Sequence, residues 1–238
     1  MRREPPAPPE LLTHHGLACA LFLPDGPPSG GIVIHHGAGS AKESHFDFGR
    51  AARARGMAAL AFDARGHGRS GGAFGASAVE DTLALCDLLR SHTPHVAVRG
   101  SSLGGFVALL AAAAGELDAV VAICPAPEDL LLRGLRAGRM EFEVDASLEQ
   151  WLESVNLTEA TARLPGALLL LHARGDEQVP YTVSEELYEA ASEPKRLLML
   201  PGGHHRSIQH DPELQAESLR WLERVGFRER GSAPPDRY

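Results

Sequence analysis

From residue 31 onward, short and nearly unbroken apolar runs alternate with helix-length segments. The runs at 32–34, 57–62, 95–98, 119–124, 167–171 and 196–200 predict strands. A further strand is expected at 17–23, followed by the turn-rich stretch 24–31. Helices are expected over 43–56, from the capping box Ser77-x-x-Glu80 to about residue 91, over 106–114 up to Gly115, and over 183–191. Asp211-Pro212 supplies an N-cap and first-turn proline for a last helix, with Leu214, Ser218, Trp221, Leu222 and Val225 on one face. Apolar strands alternating with helices imply an α/β fold, a mostly parallel central sheet with helices on both faces.

One interval breaks this rhythm. Residues 126–165 are too long for a simple connection and one ordinary helix, and predict a small helical insertion, a cap over one end of the sheet. Within it Ser147-x-x-Gln150 reads as a capping box, and Leu148, Trp151, Leu152 and Val155 recur at helical spacing. The whole of 1–238 is expected to be one domain, with flexible ends near 1–10 and 229–238, where proline and charge are dense.

Composition narrows the function more by exclusion than by assertion. A formal net charge of -8 with no basic stripe argues against nucleic acid or an anionic membrane as partner and for a small-molecule substrate. Cys19, Cys86 and Cys124 are few and far apart, so buried free thiols are expected. Neither a signal peptide nor a membrane span of about 20 apolar residues is visible, which places the protein in the cytoplasm. Whether it is a monomer or a homodimer is left open.

The chemistry centres on Gly100-Ser-Ser102-Leu-Gly104, set between an apolar strand and a helix-forming run. A serine on so tight a strand-to-helix turn presents its hydroxyl outward, and side chains two residues to either side would collide, hence the glycines. Only Ser102 has them on both sides, so Ser101 is read as filler. A serine hydroxyl is a weak nucleophile and needs a histidine base oriented by an acid, all from loops at the carboxyl ends of the strands. Asp176 follows the strand at 167–171, and His204-His205 follow the strand at 196–200. The order Ser102, Asp176, His205 is that expected for this arrangement. Oxyanion donors are expected from the backbone N–H of Leu103, at a helix start, and of Ala38, in the glycine-flanked loop 36–39.

Over residues 17–226 these motifs resemble the α/β-hydrolase superfamily, in particular its small esterase and dienelactone-hydrolase-like serine esterases. His36-Gly37 is similar to the family's oxyanion loop, Asp63-Ala-Arg-Gly-His-Gly-Arg-Ser70 to its D-x-R-G-x-G-x-S turn, and Gly100–Gly104 to its nucleophile elbow. Asp176-x-x-Val-Pro180 resembles the acid loop and Gly202-Gly-His-His205 the histidine loop, a form that favours His205 over His204 as base. The resemblance implies a Ser102–His205–Asp176 catalytic triad cleaving carboxylic esters through an acyl-enzyme, with no cofactor. Asp63, Arg65 and His67 are read as holding their turn. The insertion's apolar residues suggest a pocket for an uncharged acyl or aromatic group. Rival readings are a thioesterase or peptidase with the same triad, a non-catalytic binding module, and metal-dependent hydrolysis by His35, His36, His204, His205 and Asp176, for which no metal-binding spacing is present.

Overall fold

The computed structural model describes residues 7–227. Strands β1 (Glu10–His14) and β2 (Leu17–Phe22) form a hairpin whose turn uses His15 and Gly16, both at positive φ. Then follow β3 (Gly31–His35), a short 3₁₀ turn at Lys42–His45, α1 (Phe46–Ala54), β4 (Ala58–Phe62), α2 (Ala78–Arg90) and β5 (Val96–Ser101). Next come α3 (Leu103–Ala114) and β6 (Ala119–Ile123), and then the insertion, with α4 (Glu128–Arg136), α5 (Leu148–Ser154) and α6 (Leu157–Ala162). The chain continues through β7 (Ala167–Ala173), α7 (Thr182–Ala190), β8 (Lys195–Leu200), α8 (Ser207–His210) and α9 (Pro212–Trp221).

The eight strands form one sheet in the order β1-β2-β4-β3-β5-β6-β7-β8. β1 and β2 pair antiparallel, β2 joins β4 antiparallel, and every later pairing is parallel. The parallel strands β3 to β7 are buried along their whole length, as a sheet covered on both faces requires. One face packs on α2, α3, α7 and the insertion helices through Leu85, Phe106, Leu152 and Leu187. The other packs on α1, α8 and α9 through Phe48, Ile208 and Trp221. The sheet thus places the ends of β3, β5, β6, β7 and β8 along one rim.

Several local expectations need correction. The strand β1 falls partly where a flexible arm was expected; it is a half-exposed edge with Leu11 facing solvent, too weakly apolar to declare itself. Of the two expected loose ends, residues 1–6 and 229–238 lie outside the described residues. Neither serine capping box forms: Ser77 and Ser147 both have helical backbone angles and give no cap bond. Ser147 instead donates its N–H to Asp145 at 2.8 Å, and the side-chain cap within the insertion is Asn156, accepting from the Glu159 N–H at 2.9 Å. Asp211 does cap α9, accepting from the Glu213 and Leu214 N–H groups. The three cysteines are free and buried. Among the described residues no helix is long and apolar enough to cross a membrane.

Candidate active site

The turn between β5 and α3 holds Ser102 at φ 53 and ψ -117, a region costly for any residue but glycine. Its neighbours enforce the conformation. Ser102 donates its N–H to the Ile123 carbonyl at 2.9 Å, and its own carbonyl accepts from Phe106 and Ala126. A Cβ at Gly100 would strike the Gly104 carbonyl, and one at Gly104 would strike the carbonyls of His35 and His36. Both glycines are therefore required by close backbone approach, and α3 starts directly against the end of β3.

That end of β3 continues into the loop 36–41. A Cβ added to Gly37 would sit 3.2 Å from the Ser101 carbonyl and 3.5 Å from the Ser102 Cβ, so the loop runs alongside the elbow. The Asp63–Ser70 turn holds this loop in place. The buried Asp63 carboxylate accepts from the Lys42 N–H at 2.8 Å, the Lys42 ammonium at 2.7 Å and the Arg69 N–H at 2.9 Å. Burial pushes that carboxyl up, but the bonds from Lys42 and Arg69 outweigh it and hold it below the usual carboxylate range. Arg65 forks onto Asp81, and the His67 Nε2 accepts from the Gly39 N–H at 3.2 Å. Asp63, Arg65 and His67 hold turn and loop, as the sequence suggests. Among the described residues, neither the Ala38 N–H nor the Leu103 N–H donates a hydrogen bond to another group.

Asp176 leaves β7 on a turn in which its Oδ1 accepts from the N–H groups of Gln178 and Val179, both at 2.9 Å. Its Oδ2 meets His205 Nδ1 at 2.7 Å, and the carboxylate is fully buried. Burial raises the Asp176 carboxyl, but the adjacent His172 imidazole and hydrogen bonds from His205 and the two backbone amides overcome this and hold it well below the usual range. An ionised carboxylate fixes Nδ1 of His205 as the protonated nitrogen, leaving Nε2 as a base. His204, by contrast, points to solvent beside Glu177.

Ser102, His205 and Ala38 line one cavity of about 410 Å³. No hydrogen bond joins the Ser102 hydroxyl to the His205 ring among the described residues. The segment bearing His205 is tied to the strand bearing Ser102: the Ser101 hydroxyl donates to Gln209 Oε1 at 2.6 Å, and Arg99 Nη2 donates to the Gln209 carbonyl at 3.0 Å. Ser101 is thus more than filler.

Two features were not read from the sequence. His172, buried on β7, donates Nε2–H to the Val179 carbonyl at 3.0 Å, lies 3.4 Å from Asp176 and pairs with Ser184. Only its position four residues before Asp176 hinted at this. Cys124, at φ 43 just past β6, lies beside the same carboxylate; its Sγ, an Asp176 oxygen and a His205 nitrogen are within 4.8 Å of one another. The histidines of the metal reading do not converge: His36 spends Nδ1 on the Gly37 carbonyl and Nε2 on the Ala64 N–H. Burial pushes the His36 imidazole down to about 4.

The cavity at this rim is more polar than the apolar pocket expected from the insertion. Around Ser102 and His205 the cavity is lined by Ser40, Ser44, Gln178, Arg206, Gln209 and His210, with no lining residue from 126–165. The insertion packs Trp151 against Phe106 of α3 and Phe142 against His67 of the turn that holds the loop 36–41. Leu131, Leu148, Leu152 and Leu157 are buried there, while Leu132, Leu135, Met140 and Trp151 are only partly covered.

Comparison with known proteins agrees with this architecture. The family model described as serine aminopeptidase, S33, matches residues 26–133, the part that carries Ser102 but not Asp176 or His205. The uncharacterised protein YfhR of Escherichia coli strain K12 is 27% identical over 194 residues, covering 77% of this chain and 67% of YfhR. The esterase domain of a Rhodothermus marinus protein superposes with a TM-score of 0.70 at 26% identity, covering 88% of this chain and 93% of that domain. Est1E of Butyrivibrio proteoclasticus superposes with a TM-score of 0.71 at 18% identity, covering 91% and 97%. With one mostly parallel eight-stranded sheet and a strained serine on the turn after its fifth strand, the chain has the α/β-hydrolase fold.

Proposed function

We propose that this α/β hydrolase is a serine esterase that cleaves carboxylic esters through a covalent acyl-enzyme. The observation that carries the reading is the buried Asp176–His205 hydrogen bond of 2.7 Å opening onto the cavity that Ser102 lines. In this mechanism His205 Nε2 takes the Ser102 hydroxyl proton as Oγ bonds to the ester carbonyl carbon. The N–H groups of Leu103 and Ala38 receive the developing oxyanion. His205 returns the proton to the departing alcohol, then activates water to release the acid and restore Ser102. The serine–histidine contact closes around substrate, as such contacts commonly do. No cofactor enters these steps.

The family model's name raises an aminopeptidase as the rival with the same three residues. A free substrate amino group calls for a carboxylate at the mouth of the site, and the cavity is lined by none, which favours esters. Placement in the cytoplasm belongs to the same reading, supported by the three free thiols. The test is turnover of a short p-nitrophenyl ester by the purified protein: Ser102→Ala should lower kcat by about 10⁴-fold or more with the fold intact. Near-native turnover by that variant would refute the assignment.

A further inference from the structure

The cavity inverts the sign of the protein around it. The chain carries a formal net charge of -8, yet the walls beside Ser102 hold no aspartate or glutamate and include Arg206. Of the carboxylates on the neighbouring segments, Asp176 bonds His205, Glu43 shares the Lys42 ammonium with Asp63, Asp47 pairs with Arg50 at 2.8 Å, and Glu177 accepts from the His205 N–H at 3.5 Å. Arg206 has no carboxylate partner among the described residues.

A second cation stands directly behind the wall. Arg99 is 1% exposed and has no carboxylate within ion-pair distance among the described residues. Its guanidinium lies over the Phe48 ring at 4.2 Å, reaches His45 Nδ1 at 3.4 Å and donates to the Gln209 carbonyl, while its Nε is unpartnered. Burying a charge without its opposite is costly, and a fold tolerates it where something else repays the cost. Arg99 and Ser101 share one face of β5, and both bond Gln209, a wall residue of the cavity. Between them, Ser40, Ser44 and His210 add hydrogen-bonding groups to that wall.

Resting on the esterase reading, we infer that the preferred substrate is an ester carrying a carboxylate away from the reacting carbonyl, bound by Arg206 in the positive field of Arg99. A planar guanidinium receives a carboxylate through paired, charge-assisted hydrogen bonds. The oxyanion formed at the reacting carbon is met separately by the backbone groups of the elbow and the loop, so the two negative charges have different receivers.

The test uses isosteric pairs on the full-length protein at low salt. Mono-4-nitrophenyl terephthalate against 4-nitrophenyl 4-carbamoylbenzoate places the anion on the acid side; 4-carboxyphenyl acetate against 4-carbamoylphenyl acetate places it on the alcohol side. In one pair the anionic member is expected to show about tenfold or higher kcat/KM. That ratio should fall toward 1 in Arg206→Gln, be partly kept in Arg206→Lys, and shrink as salt is raised. Turnover of both pairs without preference for the anion, or a ratio unchanged in Arg206→Gln, would overturn the carboxylate site and leave the esterase standing. Absence of any turnover of all four esters would bring down both.

Discussion

Asp176 and His205, 29 residues apart in sequence, are joined by a 2.7 Å hydrogen bond whose acceptor is wholly shielded from solvent. Its other oxygen is saturated by two backbone N–H groups, so the carboxylate cannot swing away from the imidazole. Asp176→Asn keeps the size but presents an amide that can donate to Nδ1, favouring the tautomer with the proton on the wrong nitrogen. The expected result is a kcat lower by about 10³ to 10⁴-fold with little change in KM. A loss under tenfold would show that Asp176 does not orient the base.

The acid limb of stability has two named sources. Asp63 and Asp176 are both held below the ordinary carboxylate pKa of about 4. A depressed folded pKa means the unfolded chain binds protons first as pH falls, so stability is fully present above about pH 5 and is lost progressively below about pH 4. Urea unfolding followed from about pH 6 down to about pH 3 should show this fall. Asp63→Asn should flatten part of it and cost about 3 kcal/mol at neutral pH, because the Lys42 ammonium, 4% exposed, keeps only Glu43 as partner. A neutral-pH midpoint equal to the parent's would contradict the role given to this pair.

Gly37 separates activity from stability. A methyl group there presses on the Ser101 carbonyl at 3.2 Å and can be relieved by moving the loop away from the elbow. Gly37→Ala should therefore displace the Ala38 N–H and lower kcat by about 10-fold or more, while shifting the unfolding midpoint little. Unchanged kcat would remove the loop from the mechanism.

Much of this was legible in the chain because the strands of a doubly covered parallel sheet are uniformly apolar and end in functional loops. The runs at 57–62, 119–124 and 167–171 became β4, β6 and β7 with shifts of two residues or fewer. Ser102 stood out because its tight turn demands glycine at fixed spacing, and Asp176 and His205 because each follows a predicted strand in the order the chemistry needs. What stayed hidden depends on contacts distant in sequence. The Ser77 and Ser147 boxes had the right letters, but the backbone entered each helix already curled. Arg99 drew no reading from the sequence, because its contact with Gln209 lies 110 residues on. The apolar residues of 126–165 carried no mark of their partners, which Trp151 finds in Phe106 and Phe142 in His67.

The most direct test of the central claim is covalent labelling by a fluorophosphonate, read by intact mass and peptide mapping. A single adduct on Ser102, absent in Ser102→Ala and strongly slowed in His205→Ala, is the result the account predicts. Labelling of some other residue, or ester turnover that survives with Ser102 unlabelled, would contradict it.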